Sequence, residues 1–299
     1  MPVPIEITIL GSGSAIPTLK RGHPAVLMHR AGDYFLLDCG EGAQLGLEKA
    51  GVSPVRIDKI FITHWHADHF AGLLPLLETM HLNRRTAPLE IYGPDAKRFV
   101  NDIRDLSYWS IGFRLIARDC GRRQYEKLFS TSDYEMWAIK TKHNVPSCGY
   151  ALLEKPHWAI DVKKLKKFGL EPGPDLRKVK SKGKVKVKNI TIRLSQIAVQ
   201  MPGRKFVYSG DTLVHRPLFK FAKGAELLIH DGTFIEPALT HAHPSSDQVA
   251  RLAKQYGIKK LVLTHLSRRY RTESEILRVV RPIFKNTILA RDGLKITLR

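Results

Sequence analysis

Four side chains that can bind a metal ion lie within six residues of the sequence. The stretch FITHWHADHF, residues 61–70, contains His64, His66, Asp68 and His69 directly after an apolar run. Neutral imidazole and carboxylate groups are ligands that suit zinc. Four donors exceed what one structural zinc site takes from so short a segment. The spacing therefore predicts a two-metal centre that needs further ligands, and a chance cluster of histidines is the alternative.

Three further donors follow other apolar, β-rich runs of the sequence. They are His143 in TKHNVPS, Asp211 in YSGDT and His265 in LVLTH. Residues that end neighbouring strands lie at one edge of a sheet, so these three are expected near the histidine cluster. Taken singly, either histidine also fits a structural, hydrogen-bonded role. The predicted grouping is one metal on His64, His66 and His143, a second on Asp68, His69 and His265, and Asp211 as a bridge.

Apolar runs and turn residues indicate the elements that position these donors. IEITILGSGS and YFLLDCGEG are predicted as strands that enter Gly-rich turns, and LEIYGP as a strand stopped by Gly-Pro. The other predicted strands are RIDKIFITH, YEMWAIKTKH, GYALLE, ITIRLSQI, KFVYSGD, AELLIHDG, KKLVLTH and a closing strand around TILARDGLKITL. The predicted helices are DHFAGLLPLLETMHL, TLVHRPLFKFA, SSDQVARLAKQYG and TESEILRVVRPIF. Sheets packed between helices follow from this order. We predict one α/β domain over residues 1–299, a four-layer αββα sandwich.

A lysine-rich segment, residues 154–190, interrupts the second half of the chain. Its last thirty positions hold 11 basic and three acidic residues, and Pro172, Gly173 and Pro174 prevent a continuous helix. The segment is too charged to form core, so we interpret it as a protruding arm whose lysines bind phosphates of a folded RNA. A solvated loop is the alternative. The side chains assigned to RNA binding are Lys163, Lys164, Lys166, Lys167, Arg177, Lys178, Lys180 and Lys182.

The charge of the chain also favours a nucleic-acid partner. The formal net charge is +21 and the pI is near 10.0, and such a field attracts polyanions. A thermophile surface is the alternative, but such surfaces usually balance Lys with Glu. The sequence has no apolar run long enough to span a membrane, and MPVPIEITILGSGS does not have the pattern of a signal peptide. Cys39, Cys120 and Cys148 have no paired spacing, which predicts reduced thiols in a cytoplasmic protein.

Several motifs carry a resemblance to a known family. THWHADH matches the His-x-His-x-Asp-His signature of the metallo-β-lactamase superfamily. Within it, the chain resembles ribonuclease Z, the endonuclease that trims the 3′ end of precursor tRNA. The blocks LGSGSAIPT, LLDCGEGAQ, FGLEPGP, VYSGDT and HPSSDQVA occur in the family's order, and HNVPSCGY, HDGTF and LTHLSRRY are more specific. The resemblance implies the metallo-β-lactamase fold, a precursor tRNA substrate and the same seven metal ligands. Two Zn²⁺ per subunit are expected, although a His/Asp site also accepts Mn²⁺ or Fe²⁺.

The resemblance adds three catalytic positions. His243 matches the family's histidine that does not bind metal, Asp231 matches the acidic residue that supports it, and Arg269 matches an arginine near the scissile phosphate. Without the resemblance, Asp231 reads better as a turn residue before Gly232. The stretch THAHPSS also fits a helix entry with Ser245 or Ser246 as N-cap, and His241 is then the alternative functional histidine.

These assignments predict a hydrolytic mechanism. Two metal ions about 3.5–4 Å apart lower the pKa of a shared water towards about 7 and stabilise the developing charge. Asp68 would accept the proton of the attacking water, and His243, oriented by Asp231, would protonate the leaving 3′-oxygen. The products would be a tRNA with a 3′-hydroxyl and a trailer with a 5′-phosphate.

The resemblance also implies a homodimer, because in the family the arm serves the substrate of the partner subunit. Two departures concern substrate recognition. Ala67 stands where the family usually has Gly, and PTLKRGH, residues 17–23, differs from the family's Pro-x-Lys-x-Arg-Asn loop.

Two other functions compete with the endonuclease. A metallo-β-lactamase-fold hydrolase of small phosphodiesters or other esters would use the same metal ligands without needing the arm. A non-catalytic RNA-binding protein would be expected to have lost some ligands, whereas this sequence retains all seven.

Overall fold

The computed structural model describes residues 3–106, 111–187, 190–235 and 242–299. Its strands are β1 Ile5–Gly11, β2 Ala25–Arg30, β3 Asp33–Leu37, β4 Lys59–Phe61, β5 Leu89–Gly93, β6 Leu115–Asp119, β7 Tyr125–Ser130, β8 Tyr134–Lys140, β9 Cys148–Glu154, β10 His157–Ile160, β11 Lys184–Val187, β12 Ile190–Arg193, β13 Ala198–Met201, β14 Lys205–Tyr208, β15 Leu227–Asp231, β16 Leu261–Thr264, β17 Thr287–Leu289 and β18 Lys295–Leu298. Its helices are α1 Ala43–Lys49, α2 Ala67–Phe70, α3 Leu73–Leu82, α4 Ala96–Asp105, α5 Val162–Lys167, α6 Pro174–Lys182, α7 Leu194–Ile197, α8 Arg216–Ala222, α9 Ser246–Gln255 and α10 Glu273–Val280.

Two large sheets form the centre of the described chain. The first has the order β18-β1-β2-β3-β4-β5-β6, and the second has the order β17-β16-β15-β14-β9-β8-β7. One apolar cluster, which includes Phe35, Phe61 and Tyr150, fills the space between the sheets. A second cluster packs α1, α3 and α4 on the outer face of the first sheet, and a third packs α8, α9 and α10 on the second. These layers confirm the predicted αββα sandwich.

Parallel strand pairs in both sheets bring the predicted donors to one end of the sandwich. β3 and β4 are parallel neighbours in the first sheet, and β15 and β16 are parallel neighbours in the second. The ends of β4 and β16 lead directly to His64 and His265. The amide of Cys148, at the start of β9, donates to the carbonyl of Thr63 at 2.9 Å. This contact joins the two sheets beside the histidine cluster.

Three predicted elements differ from the observed ones. The helix predicted over residues 68–82 divides into α2 and α3 at Gly72, whose amide donates to the carbonyl of Cys39 at 2.9 Å instead of within the helix. The Gly40 backbone packs so closely there that a Cβ on Gly72 would lie 2.2 Å from its carbonyl oxygen. The predicted strand 190–197 ends at Arg193, and a short helix follows. The single closing strand is instead β17 and β18, which belong to different sheets. The turn between them includes Gly293 at φ 83°, a conformation that glycine adopts without steric cost.

The lysine-rich segment is a small folded unit rather than a plain charged loop. β10 and β13 pair to form its stem, and it carries α5, α6 and the β11–β12 hairpin. The prediction that this segment holds no core is wrong, since apolar side chains spaced between the lysines form a small cluster: Leu165, Leu170, Val179, Val185, Ile192, Leu194, Ile197 and Ala198. We call residues 157–201 the arm; it runs past the predicted end at residue 190. The eight basic side chains assigned to RNA binding are all exposed on it.

The arm leaves the sandwich at the end opposite to the predicted donors. β9 starts beside Thr63 and runs seven residues to Glu154, which corresponds to about 20 Å of extended chain. The chain returns at Arg204, where β14 begins. Glu154 is buried at this junction and accepts hydrogen bonds from Arg30 Nε at 2.8 Å and Arg204 Nε at 2.6 Å. A buried ion cluster therefore fixes the base of the arm.

All three cysteines, Cys39, Cys120 and Cys148, are free and buried. Among the described residues, no helix is both long enough and apolar enough to cross a bilayer.

Candidate metal centre

Three histidines form the first donor group. His64 follows β4 and His66 lies two residues further, while His143 comes from the turn between β8 and β9. His66 Nδ1 lies 2.9 Å from His64 Nε2 and 3.2 Å from His143 Nε2. Burial lowers the pKa of His64 and of His143. Both imidazoles are therefore held in the neutral form, which is the form that binds a metal ion.

The second group contains Asp68, His69, Asp211 and His265. His265 Nε2 lies 3.1 Å from Asp211 Oδ2 and 3.3 Å from Asp68 Oδ2. Asp211 Oδ1 lies 3.3 Å from His69 Nε2. Asp211 Oδ2 is also 3.9 Å from His64 Nε2, so this carboxylate stands between the two groups, where the sequence analysis expected a bridge. Burial opposes the charge of Asp211, but His265 and His69 hold its pKa well below the usual range.

The two groups fit metal ions by their chemistry. The donor atoms within each group all lie within 4.8 Å of one another. Among the described residues, His69 Nε2 is buried without a hydrogen-bond partner, and it points towards the carboxylates of Asp211 and Asp68. Burial opposes a charge on His69, but Asp211 and Asp38 raise its pKa well above the ordinary value. A cation bound by these atoms would replace the proton on the imidazole and offset the carboxylate charge.

Asp38 anchors two of these histidines from behind. It follows β3, is fully buried and has φ 56°. Oδ2 accepts from His69 Nδ1 at 2.8 Å and from the Thr63 hydroxyl at 3.0 Å, and the Thr63 oxygen lies 3.0 Å from His64 Nδ1. The Thr63 amide and the Tyr208 hydroxyl each donate to Asp38 at 2.7 Å. We call these residues the Asp38 network: Asp38, Thr63, His64, His69 and Tyr208.

Asp231 holds an equivalent position in the second sheet. It ends β15, is fully buried and accepts from His243 Nδ1 at 2.7 Å. The Thr233 hydroxyl donates to Asp231 at 2.6 Å, and its oxygen lies 2.7 Å from His265 Nδ1. The amide of Thr212 donates to the same carboxylate at 3.3 Å. We call these residues the Asp231 network: Asp231, Thr233, His265, His243 and Thr212.

The histidines of these networks share one orientation. In His64, His69 and His265, Nδ1 faces a threonine or aspartate oxygen, so Nε2 is left to face the donor groups. In this arrangement the outer hydrogen bond fixes the tautomer and direction of a metal-binding imidazole. Asp38, Thr63 and Thr233 were not among the predicted site residues. A signal was present for Asp38, since LLDCG, like LIHDG, is an apolar run that ends in an aspartate.

His243 differs from the other histidines of the site. Burial opposes its charge, but the carboxylate of Asp231 raises the pKa of His243 to about 9. Its ring stacks on His265 with centroids 5.0 Å apart, and 20% of its side chain is exposed. The carboxylate therefore favours the protonated form of an imidazole that is accessible beside the donor groups. Asp231 is not a simple turn residue, Ser245 is the N-cap of α9, and His241 lies outside the described residues.

Arg269 reaches the same site through an aromatic ring. Its guanidinium lies 5.4 Å from the centre of the Phe234 ring, and that ring packs edge-on against His243 at 5.9 Å. Arg269 itself is exposed. This arrangement places an exposed cation near the His243 ring.

The two sequence departures have local explanations. Ala67 is exposed at the first position of α2, where a methyl group is accommodated. In the segment 17–23, Thr18 and Arg21 close a tight turn through paired backbone hydrogen bonds. Arg21 donates to Ser12 Oγ at 2.8 Å and pairs with Glu273 at 3.0 Å. Its guanidinium therefore holds the loop in place, while Leu19 is fully exposed at the turn.

Comparison with known proteins agrees with this fold. A family model described as a β-lactamase superfamily domain matches residues 171–266, and one described as anti-Pycsar protein Apyc1 matches residues 5–102. The crystal structure of human tRNase Z, short form, superimposes with a TM-score of 0.70 at 29% identity and covers 97% of this chain and 98% of that chain. The fold and its His/Asp groups define a metal-dependent hydrolase of the metallo-β-lactamase class.

Curated relatives identify the family. Ribonuclease Z of Methanosarcina acetivorans is 35% identical over 98% of both chains. Ribonuclease Z of Thermococcus kodakarensis is 34% identical over 99% of this chain and 95% of the relative. The chain belongs to the ribonuclease Z family, whose members are metal-dependent endoribonucleases.

Proposed function

We propose that this enzyme hydrolyses the phosphodiester at the 3′ end of precursor tRNA, removes the trailer and leaves a 3′-hydroxyl. The observation that supports this most directly is the hydrogen-bonded His243–Asp231 pair beside two groups of side chains that could each hold a metal ion. The leaving group of RNA hydrolysis is an alkoxide, which needs a proton as the bond breaks.

We further propose the following roles for the chain's own residues. His243 donates the proton from Nε2 to the leaving 3′-oxygen, because its Nδ1 is bound to Asp231. Asp231 orients the imidazole and stabilises its charged form. Asp68, which lies at the second group, accepts a proton from the attacking water. Arg269 binds the phosphate from the exposed side.

Two Zn²⁺ ions are the proposed cofactors. His64, His66 and His143 would hold one, Asp68, His69 and His265 the other, and Asp211 would contact both. When bound, such ions lower the pKa of water and stabilise negative charge on the phosphate. Mn²⁺ or Fe²⁺ would suit the same donors.

The arm is the proposed binding surface for the body of the tRNA. Its exposed basic residues lie on a folded unit whose base is fixed by Glu154. The arm leaves the sandwich at the end opposite to the metal centre, so its base lies about 20 Å from its own site. We propose that it contacts RNA bound to a partner subunit in a homodimer, and the free cysteines support a cytoplasmic location.

The test is cleavage of a 3′-extended precursor tRNA, with bis-p-nitrophenyl phosphate as a second substrate. In one variant, Lys163, Lys164, Lys166 and Lys167 are replaced by Gln. We expect KM for the precursor to rise roughly tenfold or more, and its salt dependence to weaken, because each lost phosphate contact removes about 0.7–0.9 from the logarithmic salt slope. Hydrolysis of the small diester should stay near the wild-type rate.

The matched control removes the same charge from the outer face of the second sheet. Lys220, Lys223, Lys254 and Lys285 are exposed there, and their replacement by Gln should change KM much less. If the two variants behave alike, the arm has no specific role. If the wild-type enzyme with Zn²⁺ or Mn²⁺ cuts only the small diester, the tRNA assignment is wrong and a small-ester hydrolase takes its place.

A further inference from the structure

The carboxylate of Asp231 is fully occupied by hydrogen bonds. Oδ1 accepts from the amide of Thr233 at 3.0 Å and from its hydroxyl at 2.6 Å. Oδ2 accepts from His243 Nδ1 at 2.7 Å and from the amide of Thr212 at 3.3 Å. Asp231 has no exposed surface. The orientation of this carboxylate, and hence its reach to His243, depends on the donors at Oδ1.

The direction of the hydrogen bonds around Thr233 follows from the number of its protons. A hydroxyl has one proton to donate, and an ionised carboxylate can only accept, so the Thr233 proton goes to Asp231. The Thr233 oxygen must then accept from His265 Nδ1 at 2.7 Å. This assigns the proton of His265 to Nδ1. The lone pair of Nε2 is left facing Asp68 and Asp211 at 3.3 and 3.1 Å.

We propose that Thr233 is a positioning residue that couples the proton donor to one of the metal groups. Through one hydroxyl it fixes the tautomer of His265 and holds Asp231 in the orientation from which Oδ2 reaches His243. The part that concerns His243 rests on the proposed function, while the part that concerns His265 does not.

A simple structural role is the alternative. Thr233 is only 3% exposed, and a buried hydroxyl needs partners whatever its purpose. The two roles differ in what they predict. Satisfying a buried group affects the free energy of unfolding alone, whereas coupling affects metal affinity and the relative rates on two substrates.

Thr233→Val is the informative variant, since it removes the hydroxyl and keeps the shape of the side chain. Metal-free protein is titrated with Zn²⁺, and turnover of precursor tRNA and bis-p-nitrophenyl phosphate is measured at saturating Zn²⁺. We expect the affinity of one of the two Zn²⁺ steps, the one at His265, to fall roughly 10- to 100-fold, as for other residues that orient a metal ligand. The ratio of RNA to diester turnover should fall roughly tenfold, because nitrophenolate leaves without a proton from the enzyme.

The chain provides matched comparisons. Thr63 makes the same contacts with Asp38 and His64, but its network contains no proposed proton donor. Thr63→Val should therefore weaken Zn²⁺ binding while the ratio of RNA to diester turnover stays at the wild-type value. Thr233→Ser restores the hydroxyl and should recover both quantities to within a few-fold.

Each result bears on a separate part of the inference. A wild-type ratio of turnovers in Thr233→Val would refute the coupling to His243, and an unchanged Zn²⁺ affinity would refute the role at His265. Absence of RNA cleavage by the wild type would refute the proposed function, and the Zn²⁺ titration would still test Thr233. If Thr233→Val does not fold, long-range ¹H–¹⁵N spectra of the histidines in the Zn²⁺-loaded wild type decide the tautomer. A proton on Nε2 of His265 would overturn the proposal.

Discussion

The Asp38 and Asp231 networks are built alike but end in different chemistry. In each, a buried aspartate at the end of one strand binds one histidine directly and a second histidine through a threonine hydroxyl. In the Asp38 network, both histidines direct Nε2 towards the donor groups. In the Asp231 network, His265 does so, whereas His243 is partly exposed and has a pKa that Asp231 raises to about 9. The same arrangement thus orients two histidines of the donor groups in the first sheet, and one such histidine and the proposed proton donor in the second.

The likeness has a topological cause. In both sheets the aspartate and the indirectly bound histidine follow adjacent parallel strands, β3 and β4 or β15 and β16. Parallel neighbours end at the same edge, so residues just beyond them meet. Each network also contains one residue with positive φ, Asp38 at 56° and His265 at 58°. Side chains other than glycine are uncommon in this conformation, and it tends to occur at functional sites.

Replacing the two aspartates should give the largest difference between the networks. Asp38→Asn removes the carboxylate behind His64 and His69, which belong to different donor groups. We expect both Zn²⁺ affinities to fall, roughly 10- to 100-fold each, and hydrolysis of both substrates to fall with them. Asp231→Asn should affect mainly the Zn²⁺ step at His265 and lower RNA turnover about 10²- to 10⁴-fold at saturating Zn²⁺.

The measurements for Asp38→Asn and Asp231→Asn are the Zn²⁺ content after dialysis and the turnover of both substrates. Equal loss of Zn²⁺ and equal loss of turnover in the two variants would mean that the two networks contribute equally to metal binding and do not differ in function. In each variant the NH₂ group of Asn would face N–H or O–H groups that donate to the aspartate in the wild type, which is unfavourable. Circular dichroism must therefore first establish that each variant is folded.

The directly bound histidines provide the next comparison. His243→Ala should lower RNA turnover about 10²- to 10⁴-fold and leave hydrolysis of bis-p-nitrophenyl phosphate within a few-fold of wild type, because only RNA needs a proton at the leaving oxygen. His69→Ala should reduce both reactions in parallel, since His69 Nε2 faces Asp211 and Asp68. Steady-state kinetics on both substrates at saturating Zn²⁺ is the measurement. Parallel loss in His243→Ala would instead place His243 among the groups that hold the metal ions.

The sequence specified the donor groups better than the networks behind them. The donors could be predicted because His and Asp at the ends of apolar runs combine two signals, residue type and position in the sheet. Thr63 and Thr233 carry no such signal, since threonine is common at strand ends, and their role depends on which atoms lie within 3 Å. The predicted helix through Gly72 failed for a similar reason, because the approach of the Gly40 backbone is a tertiary contact. The core of the arm was missed because its apolar residues are isolated between lysines.

Replacement of Glu154 tests whether a buried carboxylate outside the two networks contributes only to the stability of the fold. It lies at the opposite end of the sandwich and is bound by Arg30 and Arg204. Burial opposes its charge, but the two arginines hold the pKa of Glu154 below its ordinary value. Glu154→Gln should lower the free energy of unfolding by about 3–5 kcal/mol at pH 7, as for other broken buried ion pairs. Zn²⁺ content and diester hydrolysis should stay near wild type.

The pH dependence of this loss identifies its cause. A carboxylate with a lowered pKa stabilises the folded state above its unfolded pKa of about 4.3, and this contribution disappears as the pH falls through the lower folded value. The difference between wild type and Glu154→Gln should therefore shrink below about pH 4, where wild-type Glu154 also loses its charge. Urea denaturation of both proteins at pH 7 and near pH 3 measures it. A constant difference would assign the loss to packing rather than charge. A loss of Zn²⁺ in this variant would mean that the far end of the sandwich also positions the metal centre.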